Sequence, residues 1–115
     1  MSSIIVDGIE YIPKTQEVKK DDMKYVIIRT FSAGVFAGYL ESRNGQEVVL
    51  RNARRLWFWS GAASLSQLSV DGVKNPNECK FPCEVDRVFL LQVIEILNVT
   101  SQAFESIKNV PIWKE

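Results

Sequence analysis

The chain has 115 residues, 46% hydrophobic and 24% charged, with 14 basic residues balanced by 14 acidic ones. That length holds one compact domain, the composition is globular, and no apolar run approaches the ~20 residues needed to span a bilayer. The chain contains no histidine, which excludes Ser-His-Asp, Cys-His and histidine-ligated metal mechanisms, and a pI near 6.3 argues against a long duplex nucleic acid as ligand.

The opening MSSIIVDGIEYI has neither the basic region nor the apolar stretch of a signal peptide, which predicts a cytoplasmic chain. Residues 4–6 and 9–12 flank Asp7-Gly8, a type I′ hairpin signal, so the chain should open with a short two-stranded ribbon. Residues 13–22 (PKTQEVKKDD) are polar and aperiodic and predict a flexible connector, able to fold over a face or reach a neighbouring subunit. Residues 1–23 are therefore read as hairpin and connector, and 24–115 as a single domain.

Residues 25–31 (YVIIRTF) and 35–40 (VFAGYL) are rich in β-branched and aromatic types, with Ser32-Ala33-Gly34 as the turn between them. Asn44-Gly45 marks another hairpin, which makes residues 24–50 a three-stranded antiparallel meander. If residues 54–59 continue as a strand, Arg55, Trp57 and Trp59 share one face and Arg54, Leu56 and Phe58 the other. Residues 61–70 turn to small residues, with Leu65 and Leu68 three apart, and predict a short helix capped by Ser60 and closed by Asp71-Gly72. A loop through Asn75-Pro76-Asn77 leads to one or two further strands in 84–91 and 93–99, although that apolar run also suits a buried helix. Thr100 or Ser101 can cap a last helix through Asn109, with Ala103, Phe104 and Ile107 on one face. The expected fold is α+β: an antiparallel sheet of five or more strands, a short helix after Ser60 and a C-terminal helix, assembled as a homo-oligomer.

The stretch RNARRLWFWS at residues 51–60 concentrates Arg51, Arg54, Arg55, Trp57 and Trp59, and no Asp or Glu occurs from Val48 to Val70. Arginine forks match phosphate oxygens and indole faces stack on bases, so this stretch suits a small phosphate-bearing or nucleotide ligand. Ser60 and Gly61, at the predicted helix start, and Ser32, in the turn, would add hydroxyl and amide donors. The plainer reading has the tryptophans in the core, the arginines snorkelling outward, and Gly61, Ala62 and Ala63 small because two elements touch there. Lys74 and Lys80 carry little weight, since single loop lysines are usually solvated. Neither GxxxxGK[ST] nor GxGxxG occurs. Cys79 and Cys83 form a lone C-x3-C without the further ligands of a zinc site, and both are read as structural thiols; no metal or other cofactor is expected.

The segments YVIIRTFSAGVFAGYL, NARRLWFWSGAASLSQLSVDGV, NPNECKF and IKNVPIW resemble a family of small proteins of tailed bacteriophages and prophages, a domain of unknown function. The resemblance runs over residues 24–113, and Ala37 stands where that family varies. It implies a phage accessory protein of the host cytoplasm, similar in kind to non-enzymatic anti-CBASS sponges that bind a cyclic dinucleotide such as cyclic GMP-AMP. In that light Arg51, Arg54 and Arg55 would hold phosphates, Trp57 and Trp59 would stack on bases, and Ser60, Gly61 and Ser32 would complete the site. The competing readings are a phage protein that inhibits a host protein through Trp and Arg hot spots, and a phosphodiesterase, which the lack of acidic residues in the central stretch disfavours.

Overall fold

A computed structural model describes residues 4–6, 9–11 and 18–115. Strands β1 (Ile4–Val6) and β2 (Ile9–Tyr11) pair antiparallel as a separate ribbon. Asp7-Gly8 and residues 12–17, which include the first half of the predicted connector, lie outside the described residues. The end of that connector is not loop, for β3 (Lys19–Lys20) turns directly into β4 (Met23–Thr30). Asp21 and Asp22 both have positive φ, 51° and 65°, the double left-handed pattern of a type I′ turn that Asp tolerates better than most residues.

The meander follows as β4, β5 (Val35–Asn44) and β6 (Glu47–Arg55). Its second turn is Gly45-Gln46 rather than Asn44-Gly45: Asn44 pairs with Glu47, and only Gly45 has positive φ, the II′ pattern. β7 (Val85–Leu90) joins the edge of β6, and β8 (Val93–Asn98) joins β4. The main order is thus β8-β4-β5-β6-β7, with β3 extending from the start of β4.

Only Leu91 and Gln92 connect the two edge strands. Crossing a flat five-stranded sheet takes about 19 Å, and this link reaches about 10 Å, so the sheet curls enough to bring the end of β7 to the start of β8, although the two edge strands do not pair. Val93 marks the seam: it pairs with Thr30 of β4, and its N–H donates to Gln46 O at 3.0 Å between β5 and β6.

The curl encloses Val26, Ile28, Phe36, Val48, Leu50, Ala53, Leu90 and Val93. A second core lies on the outer surface of β4 and β5, where Tyr25, Ile27, Ala37 and Tyr39 meet Leu56, Leu68, Phe81, Ala103 and Ile107. Those partners come from α1 (Leu65–Asp71), α2 (Ser101–Asn109) and the segment between β6 and β7. The predicted α+β class and both helices are present, in a six-stranded antiparallel sheet. α2 begins where expected, with Thr100 Oγ1 accepting from Ala103 N–H at 3.1 Å. α1 begins later than expected, and its cap is Ser64, which accepts from Gln67 N–H, rather than Ser60.

Candidate functional site

The three arginines of the central stretch go to three different places, and a β-bulge sends them there. Ala37 pairs with Arg54 and Tyr39 with Arg51, so Asn52 and Ala53 together oppose Gly38. Asn52 takes φ 50°, and a Cβ at Gly38 would stand 3.1 Å from Ala53 Cα and Arg51 O, a tight fit that favours a small residue opposite the bulge. Cross-strand partners share a face, which puts Arg51 and Arg54 on the outer surface and Arg55 on the side of Phe36.

Arg51 is not available as the predicted phosphate ligand. It pairs with Glu41 at 3.4 Å and Asp86 at 3.3 Å, and Glu41 also accepts from Arg87. Those hydrogen bonds, from Arg87 first and then Arg51, hold the Glu41 carboxyl below its usual range despite some desolvation.

Arg54 is not available either. It is 4% exposed, and its guanidinium donates to five backbone carbonyls: Pro82 (2.8 Å), Ile107 (2.8 Å), Phe81 (3.0 Å), Val110 (2.7 Å) and Pro111 (3.1 Å). Burial pulls its pKa below that of an ordinary arginine. These contacts tie β6 to the segment before β7 and to the end of α2.

The predicted anion loop at Ser60 and Gly61 is also filled by internal contacts. The Ser60 N–H points to Cys79 Sγ (3.4 Å), its hydroxyl accepts from Asn75 Nδ2 (3.1 Å), and Ala63 N–H goes to Gln67 Oε1 (2.7 Å). Gly61, at φ 92°, leaves no room for a Cβ, which would stand 2.5 Å from Lys74 N. Its smallness serves close packing of two loops. Cys79 is a buried thiol and Cys83 an exposed one, and among the described residues no three metal-ligating side chains gather.

Four of the predicted residues do come together. Ser32, Arg55, Trp57 and Trp59 line one surface cleft of about 460 Å³, with Ala33, Gly34, Val35 and Leu56 completing its wall. The Ser32 turn is shaped by Thr30, whose Oγ1 accepts from Ala33 N–H (2.8 Å) and donates to Gly34 O (2.9 Å). Arg55 is exposed and lies flat over Phe36, its guanidinium carbon 4.5 Å from the ring centroid. Among the described residues no carboxylate or carbonyl accepts from it. β6 ends at Arg55 instead of running to Trp59, so the predicted alternation does not continue: Leu56 and Trp59 both pack on the outer core and both line the cleft with Trp57, while Phe58 is exposed. Trp59 is half-buried against the outer core, and Trp57 is 59% exposed.

Two further residues adjoin this site: Lys80, given little weight in the sequence as a loop lysine, and Trp113, given no role there. Lys80 is paired with Phe58 across a short bridge, and its ammonium sits 5.3 Å from the Trp57 ring centroid, 5.9 Å from Phe58 and 5.7 Å from Trp113. Trp113 stacks on Trp57 with centroids 5.5 Å apart and planes 16° from parallel. The segments NPNECKF and IKNVPIW contain both, but no periodicity links residue 80 or 113 to residue 57. The result is a cation and two indoles around an open cleft, with a second cation beside Trp57. That arrangement can hold a flat anionic ligand by stacking and charge-assisted hydrogen bonds.

No curated protein and no solved structure matches the chain. A family model does match over residues 23–107, a span that includes β4 to β8, both helices up to Ile107 and all eight residues that line the cleft, and the chain accordingly belongs to the family Domain of unknown function (DUF6948).

Proposed function

We propose that the cleft binds a nucleotide, and that the protein sequesters a cyclic dinucleotide immune signal such as cyclic GMP-AMP without cleaving it. In this reading it acts as a phage immune-evasion protein in the cytoplasm of the infected bacterium. The observation that carries the proposal is Arg55, with no carboxylate partner among the described residues, standing beside Trp57 and Trp59 in one cleft. The cleft volume, about 460 Å³, falls within the range of small-molecule sites. Phosphate contacts belong to Arg55 and Lys80, base stacking to Trp57 and Trp59, and a hydroxyl contact to Ser32.

Calorimetry with cyclic GMP-AMP tests this. Arg55→Ala should weaken binding at least about tenfold, as loss of a charge-assisted hydrogen bond worth ~1.5–3 kcal/mol requires. Heat denaturation should return the nucleotide unchanged. Normal affinity in Arg55→Ala would remove the cleft as the site, and accumulation of a linear product would make the protein an enzyme.

The proposal includes assembly with further copies of the chain, motivated by Phe31, Phe89 and Leu91, exposed by 74%, 64% and 63% where the sheet curls. Light scattering at micromolar concentration should report an oligomer; a monomer with and without nucleotide would refute it. A second reading, inhibition of a host protein, draws on the exposed Trp57, Phe58, Ile112 and Trp113 around Lys80, a composition typical of interface hot spots. It predicts capture of a host protein by a variant that no longer binds nucleotide.

A further inference from the structure

We infer that Trp113 is a positioning residue for the cleft: it holds the Trp57 indole in place, and Arg54 in turn holds the segment that carries Trp113. The inference rests on the nucleotide-binding reading of the cleft and adds a residue that does not line it.

Trp57 lies beyond the end of β6, and the backbone bond recorded for it is its own N–H to Lys80 O at 3.2 Å. An indole that is 59% exposed on such a segment would sample several rotamers, and a ligand stacking on it would have to freeze one. Trp113 removes that freedom in advance. Its ring covers Trp57 in an offset stack, the arrangement that aromatic pairs prefer. Lys80 lies over both rings and joins them from a third side.

Trp113 is itself fixed through its backbone. Ile112 forms a parallel bridge with Phe81, and Trp113 N–H donates to Phe81 O at 3.0 Å. That same carbonyl accepts from Arg54 Nη2, and Arg54 also grips Val110 O and Pro111 O immediately before the bridge. A run of direct contacts thus leads from the buried guanidinium through residues 110–113 to the Trp113 ring and then to Trp57. Arg54, placed by sequence reasoning among the phosphate ligands, bears on the cleft from behind.

Two stacked indoles produce an exciton couplet in the far-ultraviolet circular dichroism spectrum, which reports the pair independently of any ligand. In the test, cyclic GMP-AMP is titrated into the full chain and into Trp113→Ala, Trp113→Phe, Trp57→Ala and the double variant. Trp113→Ala should lose the couplet and bind about two- to tenfold more weakly, as release of one rotamer-rich side chain requires. Trp113→Phe, which retains an aromatic face, should recover most of the affinity. In the Trp57→Ala background, Trp113→Ala should cost nothing further, because it acts only through Trp57. If Trp113→Ala fails to fold, Trp113→Leu takes its place, covering the segment without an indole. Loss of the couplet with wild-type affinity would overturn the inference and leave the cleft reading standing. A further loss in the double variant would overturn it as well, since Trp113 would then touch the ligand itself. Absence of binding by the wild-type chain would remove both.

Discussion

Arg54 and Tyr25 are both polar groups committed to the outer core, and they are handled in opposite ways. Every nitrogen of the Arg54 guanidinium donates to a carbonyl, whereas the Tyr25 hydroxyl, in a residue 1% exposed, has no hydrogen-bond partner. Removing the first strands several buried acceptors; removing the second strands none. Arg54→Met should therefore lower the unfolding free energy by about 3 kcal/mol or more, measured in urea. Tyr25→Phe should be neutral or slightly stabilising, within about 1 kcal/mol. The two also differ with pH. Burial, with smaller contributions from Glu84 and Tyr39, pushes the Tyr25 pKa well above the ordinary tyrosine value. An acid raised in the folded state favours the unfolded chain once pH passes its unfolded pKa, so stability falls as pH rises through the tyrosine range. Tyr25→Phe should accordingly retain more of its stability than the wild type at alkaline pH, as denaturation midpoints across that range would show.

The meander strands β4 to β6 and α2 were legible because their signals are local: β-branched runs, Gly45, and Thr100 ahead of an apolar helical face. What escaped was set by contacts distant in sequence. Ser60 and Ser64 are equally good caps, and the choice between them is made by Gly61, which presses on Lys74 and Asn75 and keeps the chain irregular for several residues. Ser64→Ala should lose about 1 kcal/mol of stability, the usual worth of a cap, and Ser60→Ala should lose less; thermal melts of the pair decide between the two boundaries. Arg51, Arg54 and Arg55 were grouped by proximity in sequence, whereas the bulge at Asn52 inserts a residue and puts Arg51 on the same surface as Arg54 and away from Arg55. A left-handed residue tolerates Asn or Gly but not a branched side chain. Asn52→Val should destabilise by about 1–2 kcal/mol and Asn52→Gly by little, and a bulge that did not matter would make the two variants melt alike. Of the residues proposed from composition, Ser32, Arg55, Trp57 and Trp59 line one cleft. Trp113 could not be proposed in this way, and Lys80 was weighed only as a solvated loop lysine, since only the folded chain brings residues 80 and 113 to residue 57.

At the scale of the whole molecule, the sequence indicated a sheet but not its curl, which depends on two consecutive strands pairing with opposite edges. That curl gives β4 and β5 a core on each side. Residues 25–28 are all buried, Val26 and Ile28 toward the enclosed core and Tyr25 and Ile27 toward the helices, which is why this run shows no polar alternation. β4 also lies between β5 and β8, so its backbone is covered along both edges as well as both faces. Neither layer can open without exposing a strand that the other needs, and the two should come apart in one cooperative step. In native-state hydrogen exchange, the amides of residues 26–28 should then be the last to take up deuterium, with protection equal to the global unfolding free energy, and the buried amides of α2 should approach the same limit instead of exchanging through a separate, cheaper opening.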